Sequence, residues 1–179
     1  MLNQITFPRP ADQPAEDALG LLLGCHQRIR HFTGTAARLA HAQSAAAEEI
    51  RQAANGVYRY YSISLPLHEA DEEDTLRPRL DAVSNLLVKH ALDAMHDQHL
   101  VIDELIERLL PLLQLVESNP ATLQSAGAEM CSITKTLEEI FEAHLKLEEE
   151  IIFPAIRESL TDEVQAAMLA EMQARRKQG

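Results

Sequence analysis

The chain reads HLKLEEEIIFPAI at residues 144–156, and the frame of that stretch recurs as HEADEEDTLRPRL at residues 68–80. Both copies begin with His and carry Glu four and five residues later, Pro ten residues later and an aliphatic residue twelve residues later. A weaker echo, at nearly the same separation, pairs His26 with His99. The doubled pattern predicts two helical hairpins, each with one His on its first helix and a His/Glu pair on its second.

Composition narrows the classes of protein to which the chain can belong. The 179 residues are 46% hydrophobic, which suits one domain with a buried core. A formal net charge of −12 opposes nucleic-acid binding, because a protein needs a basic face to displace the counterions of phosphates. Two cysteines, an N-terminus without a signal-peptide pattern and the lack of a long apolar run predict a soluble cytoplasmic protein with no membrane partner.

Helical spacing of apolar residues recurs along the chain, and strand signals are nearly absent. The expected fold is all-α, an up-down-up-down antiparallel four-helix bundle with an N-terminal arm and a short C-terminal helix. Pro66 precedes the His68 frame, so a kink or break is expected there. The expected helices lie at about 15–39, 45–76, 82–116, 120–156 and 161–174, within an extended arm 1–14, a bundle 15–157 and a helical tail 158–179.

Helix geometry separates the two adjacent Glu residues of each frame. A residue four positions along differs by about 40° in azimuth, so Glu72 and Glu148 share the face of the His that begins their frame. A residue five positions along is rotated by about 140°, so Glu73 and Glu149 are expected to face water. The first Glu of each pair is therefore the candidate ligand.

Four histidines are expected to point into one core. Apolar neighbours surround His26, His99 and His144 on their helices, and the repeat puts His68 in the equivalent place. The two inward Glu residues would lie among them, and uncompensated buried carboxylates cost several kcal/mol. A metal centre is the simplest compensation. Cys25 is expected to point elsewhere and serve in packing, and the basic cluster 175–177 to favour a helix C-terminus through the dipole.

The two frames, together with Cys25-His26-Gln27-Arg28-Ile29-Arg30, resemble those of the hemerythrin-like (HHE cation-binding) family over about residues 20–157. The resemblance implies a di-iron centre inside the helices, bridged by carboxylates and an oxo or hydroxo group; octahedral N/O coordination suits iron. It also implies the ligand set, with terminal imidazoles from His26, His68, His99 and His144 and bridging carboxylates from Glu72 and Glu148.

Two positions depart from the commonest pattern of the family. Glu69 stands where many bacterial members have a second His, and a related iron-sensing subgroup has a Glu ligand there. The resemblance therefore makes Glu69 a seventh candidate ligand, and it makes His96 a candidate for a further His on the third helix. Arg77 stands where the other copy has Phe153, so the apolar wall near that end should not be symmetric.

Such a centre is compatible with several functions. The first is reversible binding of O2 or a related ligand such as NO for sensing, storage or delivery, because the seven candidates and a bridge leave about one of roughly twelve iron positions open. A binding protein is favoured over an enzyme, since no separate acid/base pair is visible. The alternatives are a di-iron enzyme (peroxide removal, oxidase or iron-centre repair), an iron-sensing regulatory bundle with no O2 chemistry, or a metal-free phosphotransfer or scaffold module. A homodimer or a separate signalling protein is the expected macromolecular partner.

Overall fold

The computed structural model describes residues 16–178, which are helical throughout their regular structure and contain no strand. The prediction of an all-α helical bundle is thereby confirmed. The predicted arm 1–14 lies outside the described residues. None of the helices in the described part of the chain is long and apolar enough to cross a membrane.

Four long rods and a C-terminal helix make up the fold, and three wide π-helical turns interrupt two of the rods. The elements in chain order are α1 (Ala18–Ala40), α2 (Ala47–Arg59), π1 (Tyr60–Ser64), α3 (Leu65–Ala70), π2 (Asp71–Leu76), α4 (Arg77–Leu80), α5 (Leu86–Ser118), a 3-10 turn (Pro120–Thr122), α6 (Leu123–Leu147), π3 (Glu148–Ile152), α7 (Phe153–Ser159) and α8 (Asp162–Gln178). The second rod runs from α2 to α4, and the fourth runs from the 3-10 turn to α7.

Each π-turn ends directly before a proline-containing segment. The backbone N–H of Arg77 donates to the carbonyl of Glu72, five residues back, and that of Phe153 donates to the carbonyl of Glu148 in the same way. The following prolines lack an N–H and would crowd the carbonyl four residues back in a regular helix. A wider turn relieves that conflict. The expected disturbance at Pro66 is therefore present as π1, and both copies of the repeated frame carry one as well.

The rods pack in a closed sequence of neighbours. The first rod contacts the second and the fourth, and the third rod also contacts the second and the fourth. Their buried apolar residues form two clusters, one containing Leu109 and Met130 and the other containing Leu22 and Leu76. On every rod, the buried His and Glu residues separate the part that packs in one apolar cluster from the part that packs in the other. The polar residues therefore form a layer between two apolar halves of the core.

The third rod begins at a side-chain cap. The Asn85 side chain accepts the backbone N–H of Leu87 at 2.9 Å and that of Val88 at 3.4 Å. These N–H groups would otherwise lack a helical partner at the first turn. The cap fixes where α5 starts, and hence where His99 lies along the rod.

Replacing Asn85 by Ala should lower the free energy of unfolding by about 1 kcal/mol, because two N–H groups lose their acceptor. Chemical denaturation followed by circular dichroism measures the change. Ser84→Ala, one exposed residue earlier, is the matched control and should change the free energy by less than about 0.5 kcal/mol. Equal losses in the two variants would show that the cap does not set the start of α5.

Candidate metal centre

The polar layer consists of side chains with almost no exposure to solvent. None of its four histidines and two glutamates is more than 5% exposed. They fall into two groups whose potential ligand atoms all lie within 4.8 Å of one another. The groups are His26, His68, Glu72 and Glu148 in group one, and Glu72, His99 and His144 in group two. The first hairpin thus supplies the histidine pair of group one, and the second hairpin supplies that of group two.

Glu72 faces both histidine pairs, with one oxygen for each. Its Oε1 lies 2.8 Å from His68 Nε2, whereas its Oε2 lies 3.0 Å from His99 Nε2 and 3.9 Å from His144 Nε2. A carboxylate in this position can join two cations, because each oxygen points to a different set of nitrogens.

Glu148 is placed in the same way from the opposite rod. Its Oε2 lies 3.0 Å from His26 Nε2, and its Oε1 lies 3.6 Å from His144 Nε2. The equivalent position in the repeated frame therefore produces an equivalent geometry.

Several of these close contacts are not hydrogen bonds. His26 Nε2, His68 Nε2, Glu72 Oε1 and both carboxylate oxygens of Glu148 are buried and have no aligned hydrogen-bond partner. Buried polar atoms in proteins are almost always paired, so such a group requires an explanation. Imidazole nitrogens and carboxylate oxygens that converge without hydrogen-bond alignment fit a metal ion, and this donor set suits iron, zinc or manganese.

Burial disfavours charge throughout the layer, yet the neighbouring carboxylates raise the pKa of His26, His68 and His99. Burial, followed by repulsion from Glu72, raises the pKa of the Glu148 carboxyl. Burial also lowers the pKa of His144 to about 3, assisted by the nearby His99 and opposed by the attraction of Glu72. His144 is therefore a neutral imidazole with a lone pair, which is the form that binds metals.

The second Glu of each frame holds a histidine rather than facing water. His26 Nδ1 lies 2.8 Å from Glu149 Oε1, which also accepts from Arg30 Nη1 at 3.1 Å. His99 Nδ1 lies 2.8 Å from Glu73 Oε1. Because a carboxylate accepts, each Nδ1 donates, which directs each Nε2 towards the site, where it could bind a metal. The prediction that both second Glu residues would be solvated is wrong.

The physical reason for this error lies in the π-turns. The prediction used the 3.6-residue turn of a regular helix, whereas both Glu pairs lie inside π2 or π3. A wider turn rotates successive residues by less, so neighbouring side chains can both reach the interior. The recurrence of Glu at the fifth position in both copies was the signal in the sequence, because a merely solvated residue has no need to repeat.

The other two histidines have different surroundings. His144 Nδ1 lies 3.1 Å from Gln98 Oε1, and the His68 ring lies beside the thiol of buried Cys25. Burial alone would raise the pKa of that thiol, but the hydrogen bond to His68 and the guanidinium groups of Arg28 and Arg176 lower it to about 7. The prediction that Cys25 points away from the site is wrong, and no sequence pattern indicated either neighbour.

Glu69 and His96 are not part of either group. Glu69 is half-buried beside Asp103, and burial raises its pKa. His96 is exposed, with its Nδ1 3.1 Å from Glu73 Oε1. The structure brings together six of the seven candidate ligands and leaves Glu69 beside them.

The two frames have different surroundings at Arg77 and Phe153, as the sequence predicted. The His26 ring stacks on Phe153, with centroids 5.2 Å apart and an interplanar angle of 25°. Arg77 instead makes ion pairs with Glu73 at 3.4 Å and Asp93 at 3.0 Å. One half of the layer therefore has an aromatic wall, and the other has a charged one.

A helical bundle with buried His/Glu groups able to hold metal ions defines the chain as a helical metal-binding protein. The family model for the hemerythrin HHE cation binding domain matches residues 17–156. The chain belongs to this family, as the resemblance of its two frames implied. No curated protein and no solved structure matches the chain significantly.

Replacing Glu149 by Ala should weaken metal binding by about 10- to 100-fold, because His26 loses the partner that orients its ring. Competition between the protein and a chelator for Fe(II), under anaerobic conditions, measures the affinity. Glu150→Ala is the control, since the Glu150 side chain is 63% exposed and carries the same charge one residue away. Equal affinities for the two variants would remove Glu149 from the site.

Replacing Glu148 by Gln should have opposite effects on metal binding and on the stability of the metal-free protein. The variant should bind less metal, but at neutral pH it should unfold with a free energy about 1–3 kcal/mol higher, because it no longer buries a repelled carboxylate. A carboxyl whose pKa is raised by folding loses stability as pH rises from its usual value of 4.5, so the advantage of Gln should vanish below that pH. Denaturant unfolding in a chelator at two pH values measures the free energy of unfolding and its pH dependence. A variant less stable than the native chain at neutral pH would contradict the expectation.

Proposed function

We propose that the chain holds a pair of iron ions in its polar layer and binds O2, or a related diatomic ligand such as NO, reversibly for sensing, storage or delivery. The observation that carries the proposal is the placement of Glu72 and Glu148, each with one oxygen towards each histidine pair. Iron in such a site would supply an open coordination position and an electron for the ligand. A single ion would need only one of the two groups.

The proposed ligands follow from the donor atoms that converge. The four Nε2 atoms would be terminal ligands, and the two carboxylates would bridge. Glu69 is proposed as a seventh ligand, which would require its carboxylate to exchange Asp103 for the metal. The proposed residues are His26, His68, Glu69, Glu72, His99, His144 and Glu148.

The hydrogen bonds made by the histidine Nδ1 atoms favour reversible ligand binding over catalytic turnover. Three of the four ligand imidazoles have a hydrogen-bond partner for their Nδ1, namely Glu149, Glu73 or Gln98. A histidine fixed on both sides cannot also serve as a general acid or base. The site can therefore bind and orient more readily than it can transfer protons.

One observation favours an enzyme as the second candidate function. Glu69 and Asp103 are two neighbouring carboxyl groups beside His99, and burial raises the pKa of both. Such a pair could deliver protons to a ligand at group two, as removal of peroxide, an oxidase reaction or the repair of an iron centre would need.

We also propose how the helices are arranged around the site. The rods are proposed to run up-down-up-down as an antiparallel four-helix bundle over residues 15–157, with residues 158–179 as a tail; the neighbour relations of the rods support this. A cytoplasmic location is supported by two cysteines that are both free. A homodimer or a separate signalling protein is proposed to receive the signal.

Metal analysis combined with optical spectroscopy tests the proposal directly. Reduced protein should contain about two irons per chain, and exposure to O2 should produce a new near-ultraviolet to visible charge-transfer band. The band should disappear when O2 is removed. One tightly bound zinc ion and an unchanged spectrum would defeat the proposal.

Peroxide consumption separates the binding protein from the enzyme. The iron-loaded chain is compared with metal-free protein, and with Asp103→Asn, which retains a side chain of similar size. Slow consumption, unaffected by Asp103→Asn, is expected of a binding protein. Rapid turnover that falls in the Asp103 variant would identify the enzyme instead.

A further inference from the structure

The C-terminal helix α8 lies against the first hairpin, at the end of the bundle that contains Leu22 and Leu76. It packs on α1 and on π2. Met168 and Met172 are fully buried in the apolar cluster that contains Leu22 and Leu76. Arg79 Nη2 donates to Glu171 Oε1 at 2.6 Å, which adds a bond between α4 and α8. The helix is therefore part of the core at this end.

The main polar anchor of α8 is Asp71, the residue before Glu72 in π2. Asp71 is fully buried, and its two oxygens are ion-paired with two arginines of α8. Arg175 Nη1 contacts Oδ1, and Arg176 Nη2 lies 2.5 Å from Oδ2. Arg175 Nη2 also donates to Thr75 Oγ1 at 3.2 Å. These arginines lie in the last turn of α8, where the basic cluster was predicted to favour a helix C-terminus, and they bind π2 as well.

A second anchor joins α8 to α1. Arg176 Nη2 lies 3.6 Å from the Sγ of Cys25, and its Nη1 donates to the Met172 carbonyl at 2.8 Å. Cys25 precedes His26 in the chain and its thiol lies beside the His68 ring. The two arginines thus contact π2 and α1, which provide Glu72 and His26 of group one, whereas their bonds do not extend to α5 or α6, which provide the histidines of group two.

We propose that α8 is a clasp whose docking is coupled to metal binding at group one, and that it reports whether this half of the site is filled. The proposal rests on the proposed metal binding. Asp71 and Glu72 are consecutive residues of one short π-turn, so fixing the Glu72 carboxylate also fixes the direction of Asp71. A docked α8 conversely holds π2 and α1 in the arrangement that group one needs. Coupling of this kind is reciprocal, because each event favours the other by the same factor.

The buried charge makes the coupling strong. A buried carboxylate that loses its partners is strongly destabilised, so Asp71 cannot stay in place when α8 leaves. The turn that carries Glu72 must then rearrange. Undocking also uncovers Met168 and Met172, which would give a partner protein a surface that depends on the metal state.

Hydrogen exchange of the native chain, with and without bound Fe(II), tests the clasp without any variant. Metal should slow amide exchange in residues 162–178 by about 10-fold or more, a typical size for coupling between two sites. The start of α2, residues 47–52, lies at the other end of the core and provides the internal control. An increase in α8 no larger than that in the control would overturn the clasp, even though metal binding itself would stand. A chain that binds no metal would overturn both proposals.

Arginine variants test the same coupling from the other side. The double variant Arg175→Gln/Arg176→Gln should release metal about 10-fold faster into excess chelator, and the metal-dependent protection of α8 should be lost. Lys177→Gln is the control, because it removes one positive charge from an exposed neighbouring residue. Native release rates in the double variant would overturn the proposal. Asp71→Asn provides a check on folding, since it keeps the side-chain shape and should reproduce the loss of protection if the chain remains helical.

Discussion

Two carboxylates buried in the middle of an apolar core are the constraint on which the rest of this structure depends. Glu72 and Glu148 have no exposure to water, and they lie between two clusters of aliphatic and aromatic side chains. Four imidazoles surround them; His99 is hydrogen-bonded to Glu72, whereas both oxygens of Glu148 and one oxygen of Glu72 have no aligned partner. Bundle packing alone could be achieved better with Leu at both positions, because an ion pair in a core seldom improves on apolar residues of similar size. The polar layer is explained by what it can bind.

The layer in turn determines the irregular parts of the helices. A regular helix can direct a His and the Glu four residues later to one side, but it turns the next Glu away. The π-turns at both frames change this, so that one Glu reaches the shared centre while its neighbour orients a histidine of an adjacent rod. The proline ten residues after each frame's histidine follows the wide turn in both copies. We infer that it helps to maintain the turn, and hence that its recurrence in the sequence belongs to the site as much as the ligands do.

Local periodicity explains what could be predicted from the sequence. Apolar spacing is enough to predict the helices, and the repeated frame identifies six side chains that the fold brings together. The prediction was wrong for Glu73 and Glu149 because it assumed a uniform turn. It missed Gln98 and Cys25 because nothing in the local pattern distinguishes a residue whose side chain supports a ligand. The bonds from Asp71 to Arg175 and Arg176 join residues more than a hundred positions apart, and such contacts depend on how the rods and α8 pack.

The duplicated frame does not produce two equivalent halves. In group one, His26 stacks on Phe153, and His68 lies beside a buried thiol that is covered by α8. In the other half, the Glu that holds His99 is itself bound by Arg77 and by the exposed His96. Neighbours of the ligands set the affinity and redox potential of a bound metal as strongly as the ligands themselves. Two metals held by this layer would therefore differ in chemistry, with the half covered by α8 as the structural one and the more polar half as the one open to change.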